Sequence, residues 1–103
     1  MELCKYKDLS LYLDKKQRIL LLYFYEDWCN SITEIVDSFF KTKYDLNKMY
    51  IKIKVSKSKQ IINTLDIETY PIIKIYKKGI LFSQLYCNTK MLSKKLDEIY
   101  NIL

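Results

Sequence analysis

Residues 21–33 read LLYFYEDWCNSIT, and this stretch carries the strongest structural signal in the chain. It continues an apolar run, residues 19–25, that is too short for a typical helix and is typical of a central strand buried on both faces. The residues beyond it predict a helix with one broad apolar stripe: Ile32, Ile35, Val36, Phe39 and Phe40. Cys29 therefore lies where a buried strand gives way to a helix.

The neighbouring segments alternate between strand and helix patterns. A short edge strand is predicted at residues 2–6, followed by a helix that starts near Asp8. Residues 50–56 alternate between apolar and polar side chains, which indicates a strand. Residues 57–65 carry the spacing of a short helix.

The C-terminal third predicts a hairpin and a final helix. Pro71 immediately precedes an apolar strand at residues 72–76, the sole glycine, Gly79, closes a turn, and residues 80–86 return as the partner strand. A last helix begins near Thr89. The predicted order βαβαβαββα is that of an α/β protein with a mixed central sheet flanked by helices.

Composition limits the class of protein. A chain of 103 residues with 50% hydrophobic content is expected to form a single domain over residues 1–103 and is too apolar for a disordered segment. The longest apolar run is far shorter than the ~20 residues of a membrane span. The N-terminus lacks the pattern of a secretory signal, so a cytoplasmic protein is the expectation.

Metal and cofactor sites are not predicted. The chain has no histidine, and its three cysteines are too scattered for zinc-ligand spacing or a disulfide framework. A single glycine excludes a glycine-rich phosphate loop. We therefore expect no metal ion and no cofactor.

Lysine accounts for nearly all of the positive charge, which gives the chain a formal net charge of +6. Seven lysines lie within residues 41–59, interleaved with Tyr44 and Tyr50, and such a face could bind single-stranded nucleic acid. Specific binders usually use arginine, however, and Arg18 is the sole arginine. A solvated surface is therefore favoured over a nucleic-acid interface.

Cys29 and Pro71 are the residues whose placement suggests chemistry. A cysteine at a helix start lies near unpaired N–H groups and the positive end of the helix dipole, which favour a nucleophilic thiolate. The alternative is a small buried hydrophobic side chain. Pro71 is either an ordinary strand-entry residue or the second residue of a cis peptide bond.

Three segments together resemble the thioredoxin family. Residues 21–33 are similar to its strand, Trp-Cys pair and helix start. Residues 66–79, DIETYPIIKIYKKG, are similar to its cis-proline segment with the following strand and turn, and residues 51–56, IKIKVS, fall in register. The resemblance covers nearly the whole chain and implies the thioredoxin fold.

The resemblance also implies roles for particular residues. Cys29 corresponds to the attacking cysteine, Trp28 to the tryptophan beside it, and Pro71 to the cis-proline of the substrate groove, with Tyr70 presenting backbone to an extended peptide. Lys52 matches a lysine beneath the active site that would stabilise a thiolate, or it is an ordinary solvated lysine. The remaining residues expected to line the site are Asn30, Ser31 and Ile32.

This chain departs from the family pattern at several positions. Where the family has a second, resolving cysteine, this chain has Ile32, so release of a mixed disulfide by that route is impossible. Tyr23 takes the place of the family's buried carboxylate, and Asp37 that of a mid-helix proline. The expectation is exchange at the single thiol of Cys29 with protein or peptide disulfides, completed by a client thiol or by glutathione.

Cys87 corresponds to a family glycine that faces the cis-proline. This correspondence places it near Cys29 and suggests a resolving partner distant in sequence, although a free cysteine at a tolerant loop position is the alternative. Cys4, on the predicted first strand, is expected to be a packed core thiol. Two functions remain open: thiol–disulfide exchange through Cys29, or a redox-inactive module that binds peptides in the groove around Trp28.

Overall fold

Strand β1, Ile19–Tyr25, lies at the centre of a mixed sheet in the computed structural model, which describes residues 1–15, 18–43 and 45–103. It pairs in parallel with β2, Lys48–Lys54, and antiparallel with β3, Ile72–Lys77. Strand β4, Ile80–Tyr86, pairs antiparallel with β3 and forms one edge. The order of these strands in the sheet is β2-β1-β3-β4.

Helices cover both faces of this sheet, which gives two separate cores. The helices are α1 (Tyr6–Lys15), α2 (Asn30–Lys41), α3 (Lys59–Thr64) and α4 (Leu92–Asn101). The α1/α3 core contains Leu9, Leu20, Leu22, Phe24, Ile51, Ile53, Ile61, Ile67, Ile72 and Tyr76. The α2/α4 core contains Leu21, Tyr23, Tyr25, Cys29, Val36, Ile73, Ile75, Cys87, Leu92 and Leu96. The α/β layering predicted from the sequence is confirmed.

The continuous apolar run of β1 reflects its central position. Leu22 and Phe24 point into the α1/α3 core, whereas Leu21 and Tyr23 point into the α2/α4 core, because successive side chains of a strand alternate between faces. The prediction of a strand buried on both faces is therefore confirmed, with the predicted bounds.

The first predicted strand is shorter than expected. Within residues 2–6, regular pairing is limited to one parallel bridge between Glu2 and Lys52, with the Leu3 amide donating to the Lys52 carbonyl at 3.0 Å. Helix α1 already starts at Tyr6, which removes the end of that segment from the sheet. Cys4 is consequently exposed, and its expected place in the core is wrong.

Several other boundaries differ from the prediction by one to three residues, and two of them have a clear local cause. Strand β2 ends at Lys54, and residues Val55–Lys57 form a 3₁₀ turn, so Val55 lies outside the strand. Helix α4 begins at Leu92. Met91, with φ of 57°, lies in the left-handed region, so it cannot be part of the right-handed helix.

The β3–β4 hairpin turns through Lys78 and Gly79, which both have positive φ, 54° and 76°. Two residues with positive φ match the right-handed twist of a tight hairpin, and glycine adopts this region without a steric penalty. The sole glycine of the chain thus stands where the backbone requires one.

None of the helices in the described ranges combines the length and the apolar character that crossing a bilayer requires.

Candidate functional site

Cys29 ends a short 3₁₀ turn, Asp27–Cys29, that joins β1 to helix α2. Glu26 holds this turn in place: its carboxylate accepts hydrogen bonds from the backbone N–H of Asp27 at 3.2 Å and of Ser56 at 2.6 Å. The bond from Ser56 lowers the pKa of Glu26. Because the Cys29 amide donates to the Glu26 carbonyl at 2.9 Å, the cysteine is positioned directly before the first residue of the helix.

The Cys29 side chain is covered, since only 2% of the residue is exposed. Residues 29–32 read CNSI. In this CNSI segment Asn30 and Ser31 face solvent, whereas Ile32 packs against the α2/α4 core. The fourth position of this segment therefore carries a core hydrocarbon and no thiol.

A partly exposed aromatic surface, formed by Trp28 and the half-buried Tyr70, lies beside Cys29. Trp28 is 68% exposed, and its ring lies 5.7 Å from that of Tyr70, centroid to centroid. The Tyr70–Pro71 peptide bond is cis. The structure thus brings Trp28, which precedes Cys29 in sequence, next to the loop that contains Pro71.

Cys87 also approaches this loop from the end of β4. Its backbone N–H donates to the Pro71 carbonyl at 3.1 Å, and its side chain is buried in the same α2/α4 core as Cys29. Burial raises the pKa of the Cys87 thiol to about 12, and the nearby Cys29 contributes in the same direction. The thiol donates to the Leu85 carbonyl with a sulfur–oxygen distance of 3.6 Å, so it is held as a neutral donor.

Beneath the two cysteines, Tyr23 occupies a buried position on β1. Its hydroxyl shares a hydrogen bond of 2.9 Å with the Thr33 hydroxyl of α2, and its ring stacks on Tyr25 at 5.5 Å. Burial raises the pKa of Tyr23, so the phenol is neutral at physiological pH. A neutral pair of hydroxyls thus lies at the position that corresponds to the family's buried carboxylate.

Lys52 directs its ammonium to Asp37 of helix α2, at 2.9 Å, and lies 5.0 Å from the centre of the Tyr25 ring. The second oxygen of Asp37 accepts a hydrogen bond from Tyr50 at 2.8 Å. The positive charge of Lys52 is therefore compensated by a carboxylate on the helix.

The sequence interpretation did not identify Thr33 or the Asp37–Tyr50–Lys52 group as parts of a network. A signal was present, since Thr33 and Asp37 are four residues apart on one helix face. Tyr50 and Lys52 likewise share a face of β2, because they alternate with the buried Ile51 and Ile53.

Several of the lysines within residues 41–59 are paired with carboxylates. The ion pairs, besides that of Lys52, are Lys43–Asp97 at 3.8 Å, Lys48–Asp45 at 2.6 Å and Lys54–Asp27 at 2.8 Å. Tyr44, which the hypothesis of a nucleic-acid face includes, lies outside the described residues. These pairs reduce the charge available to attract phosphates, in keeping with the preference for a solvated surface.

The carboxylates and thiols of the described residues are too dispersed to hold a metal ion, as no group of three potential ligands comes together there. Cys29 and Cys87 share one core, but their neighbours are hydrocarbon side chains and tyrosines. The chemistry available at this site is therefore that of thiols.

Comparison with known proteins gives consistent results. The thioredoxin family model matches residues 4–99. Protein disulfide-isomerase A4 of Bos taurus is 31% identical over 70 residues, a match that covers 63% of this chain and only 11% of that much longer protein.

Among solved structures, Fasciola hepatica thioredoxin superimposes with a TM-score of 0.80 at 18% identity, covering 98% of this chain and 96% of its own. The reduced Schistosoma mansoni thioredoxin pre-protein gives a TM-score of 0.77 at 23% identity, covering 99% and 96%. The mixed sheet with helices on both faces is thus the thioredoxin fold. The chain belongs to the thioredoxin family, a family of thiol–disulfide oxidoreductases.

Proposed function

We propose that this protein carries out thiol–disulfide exchange through Cys29 as the single thiol of its CNSI segment. The observation that carries the proposal is the position of Cys29: it precedes the first turn of α2, adjoins the partly exposed Trp28–Tyr70 surface, and has Ile32 in the fourth position of the CNSI segment.

In the proposed reaction, the Cys29 thiolate attacks one sulfur of a client disulfide. A bond forms between Cys29 and that sulfur, and the second client sulfur leaves with the electron pair and takes up a proton. Since Ile32 supplies no thiol, the mixed disulfide is released by another thiol, from the client, from glutathione or from elsewhere in the chain.

The client in this proposal is an extended peptide segment that carries the disulfide. Trp28 and Tyr70 offer aromatic surface, Asn30 and Ser31 offer polar groups at the exposed start of α2, and Pro71 lines the same region. Because Cys29 is 2% exposed, a client that docks on this surface has an advantage over a small disulfide that does not. We also propose a cytoplasmic location, which fits a thiol that must stay reduced between turnovers and is tested by cell fractionation.

A redox-inactive peptide-binding module is the second candidate function. The burial of Cys29 favours it, as does the engagement of Lys52 with Asp37, which leaves that ammonium paired with a carboxylate. In this alternative, Trp28 and Tyr70 bind a peptide and no covalent bond forms.

The two functions are separated by mixing the Cys4→Ser/Cys87→Ala variant, in which Cys29 is the sole remaining thiol, with a peptide that contains a disulfide. We expect a mixed disulfide at Cys29, detected by intact mass and peptide mapping and absent from the Cys4→Ser/Cys29→Ser/Cys87→Ala control. Peptide binding that requires Trp28 without any adduct at Cys29 would instead establish the binding module.

A gain-of-function variant sharpens this test. In the Cys4→Ser/Cys87→Ala background, Ile32→Cys places a thiol in the fourth position, so the mixed disulfide should resolve internally and its lifetime should shorten. An unchanged lifetime in Ile32→Cys would show that the segment does not support exchange in the way proposed.

A further inference from the structure

We propose that Cys87 is the resolving thiol of this protein, which attacks the mixed disulfide at Cys29 and closes a Cys29–Cys87 disulfide. This inference rests on the exchange at Cys29 proposed above. It assigns the release step to a residue that lies far from the CNSI segment in sequence.

The geometry that carries the inference is the shared burial of the two thiols. Cys29 is 2% exposed and Cys87 is 5% exposed, and both belong to the α2/α4 core. Cys29 contributes to this core from the residue before α2, and Cys87 from the residue after β4. A disulfide between them would thus form away from solvent.

The loop at Pro71 links the two positions. The Pro71 carbonyl accepts a hydrogen bond from the Cys87 backbone N–H at 3.1 Å. Tyr70, the preceding residue, contacts the Trp28 ring, and Trp28 is the residue before Cys29. A client peptide seated on Trp28 and Tyr70 would therefore lie beside the segments that carry both cysteines.

The other sulfur-bearing and reactive positions do not serve this role. Cys4 lies before α1, is exposed, and belongs to neither core. Ile32 has no thiol. The Tyr23 hydroxyl lies in the same core as the cysteines, but it is neutral and bonded to Thr33.

The resting state of Cys87 makes it unsuited to attack the client first. Burial raises the pKa of its thiol to about 12, and the thiol donates to the Leu85 carbonyl. Cys87 is therefore protonated at neutral pH and does not compete with Cys29 for the client disulfide.

The proposed step balances without an added oxidant. Cys87 sulfur bonds to Cys29 sulfur, the Cys29–client bond breaks, and the client sulfur leaves with the electron pair and ends protonated with the proton of Cys87. Two protein thiols are oxidised to one disulfide, and one client disulfide is reduced to two thiols. A dithiol, or two monothiols of the glutathione class, returns the protein to its reduced form.

The test compares Cys4→Ser, which keeps both buried thiols, with Cys4→Ser/Cys87→Ala in glutathione redox buffers. Free thiols are trapped by alkylation, and products are identified by intact mass and peptide mapping. We expect the intact mass of Cys4→Ser to fall by two hydrogens. Peptide mapping should find the peptide with Cys29 joined to the peptide with Cys87 by a disulfide. The double variant should stop at a glutathione adduct on Cys29. This adduct should last longer than the adduct of Cys4→Ser by on the order of tenfold or more.

The outcomes distinguish this inference from the function on which it rests. If both proteins accumulate the Cys29 adduct with equal lifetimes, Cys87 is not the resolving thiol, and exchange at Cys29 stands. If neither forms an adduct or a disulfide, with glutathione or with the disulfide-containing peptide, both proposals fall. Cys4→Ser/Cys87→Ser, which preserves side-chain size, must behave as the alanine variant does, and denaturant unfolding verifies that each variant is folded.

Discussion

Tyr23 and Phe24 are neighbours on strand β1, yet their side chains enter two cores of different chemistry. Phe24 lies in the α1/α3 core, whose members are mostly leucine and isoleucine. Tyr23 lies in the α2/α4 core, which also holds the two buried thiols and a second tyrosine, Tyr25. One strand thus separates a mostly aliphatic interior, in which Tyr76 is the buried member with a hydroxyl, from an interior that carries two thiols and two tyrosines.

The difference shows how a small domain accommodates buried polar atoms. Burying a hydroxyl without a partner is unfavourable, and in the α2/α4 core Tyr23 bonds to Thr33. At the margin of the same face, Tyr50 and Lys52 both bond to Asp37. The α1/α3 core has less need of such pairing, so we expect its contribution to stability to come from burial and packing.

The largest effect is expected from truncation in the α1/α3 core. Leu22→Ala removes a side chain with 0% exposure and leaves a cavity, so the free energy of unfolding should fall by about 2–5 kcal/mol in urea denaturation. The matched control is Leu11→Ala, on the exposed side of α1, where a change within about 0.5 kcal/mol is expected. Similar losses for the two variants would mean that this core is not the main source of stability.

A smaller effect is expected from alkaline pH on the α2/α4 core. The pKa of Cys87 is raised from 9.0 to about 12, so the folded state retains a proton that the unfolded state releases. Its contribution to stability is fully present below pH 9 and is lost between pH 9 and 12, with a slope of at most about 1.4 kcal/mol per pH unit.

This slope is measured as the difference between the wild type and Cys87→Ala in denaturant unfolding at each pH. The difference cancels the titration of tyrosines and lysines, which occurs in both proteins. Parallel pH profiles would show that Cys87 is not buried as a neutral thiol.

The smallest effect is expected at the hydroxyl pair. Tyr23→Phe leaves the Thr33 hydroxyl without its partner and should lower the free energy of unfolding by about 1 kcal/mol. Adding Thr33→Val removes both hydroxyls, so the double variant should be more stable than Tyr23→Phe alone. A double variant that loses the sum of the two single effects would contradict a direct bond between these side chains.

Local patterns were sufficient to predict most of the fold. The apolar run of β1, the stripe on α2 and the turn at Gly79 are features whose structure depends mainly on adjacent residues. Smaller boundary errors lie in β2 and at the start of α4, and the largest error lies at residues 2–6. There the early start of α1 and pairing with β2, a strand distant in sequence, decide the outcome.

For the candidate site, the sequence by itself determined which chemical groups are present: one thiol at a helix start, isoleucine in the fourth position, and a proline before the third strand of the sheet. Through its resemblance to thioredoxins it also indicated that these groups belong together. These conclusions needed only the order and spacing of residues.

Only the tertiary structure decided the environment of those groups. It buried Cys29 and Cys87 in one core, hydrogen-bonded Cys87 to Pro71, and directed Lys52 to Asp37. The physical reason is that burial and ion pairing depend on distances between elements far apart in sequence, which are set when the helices pack on the sheet.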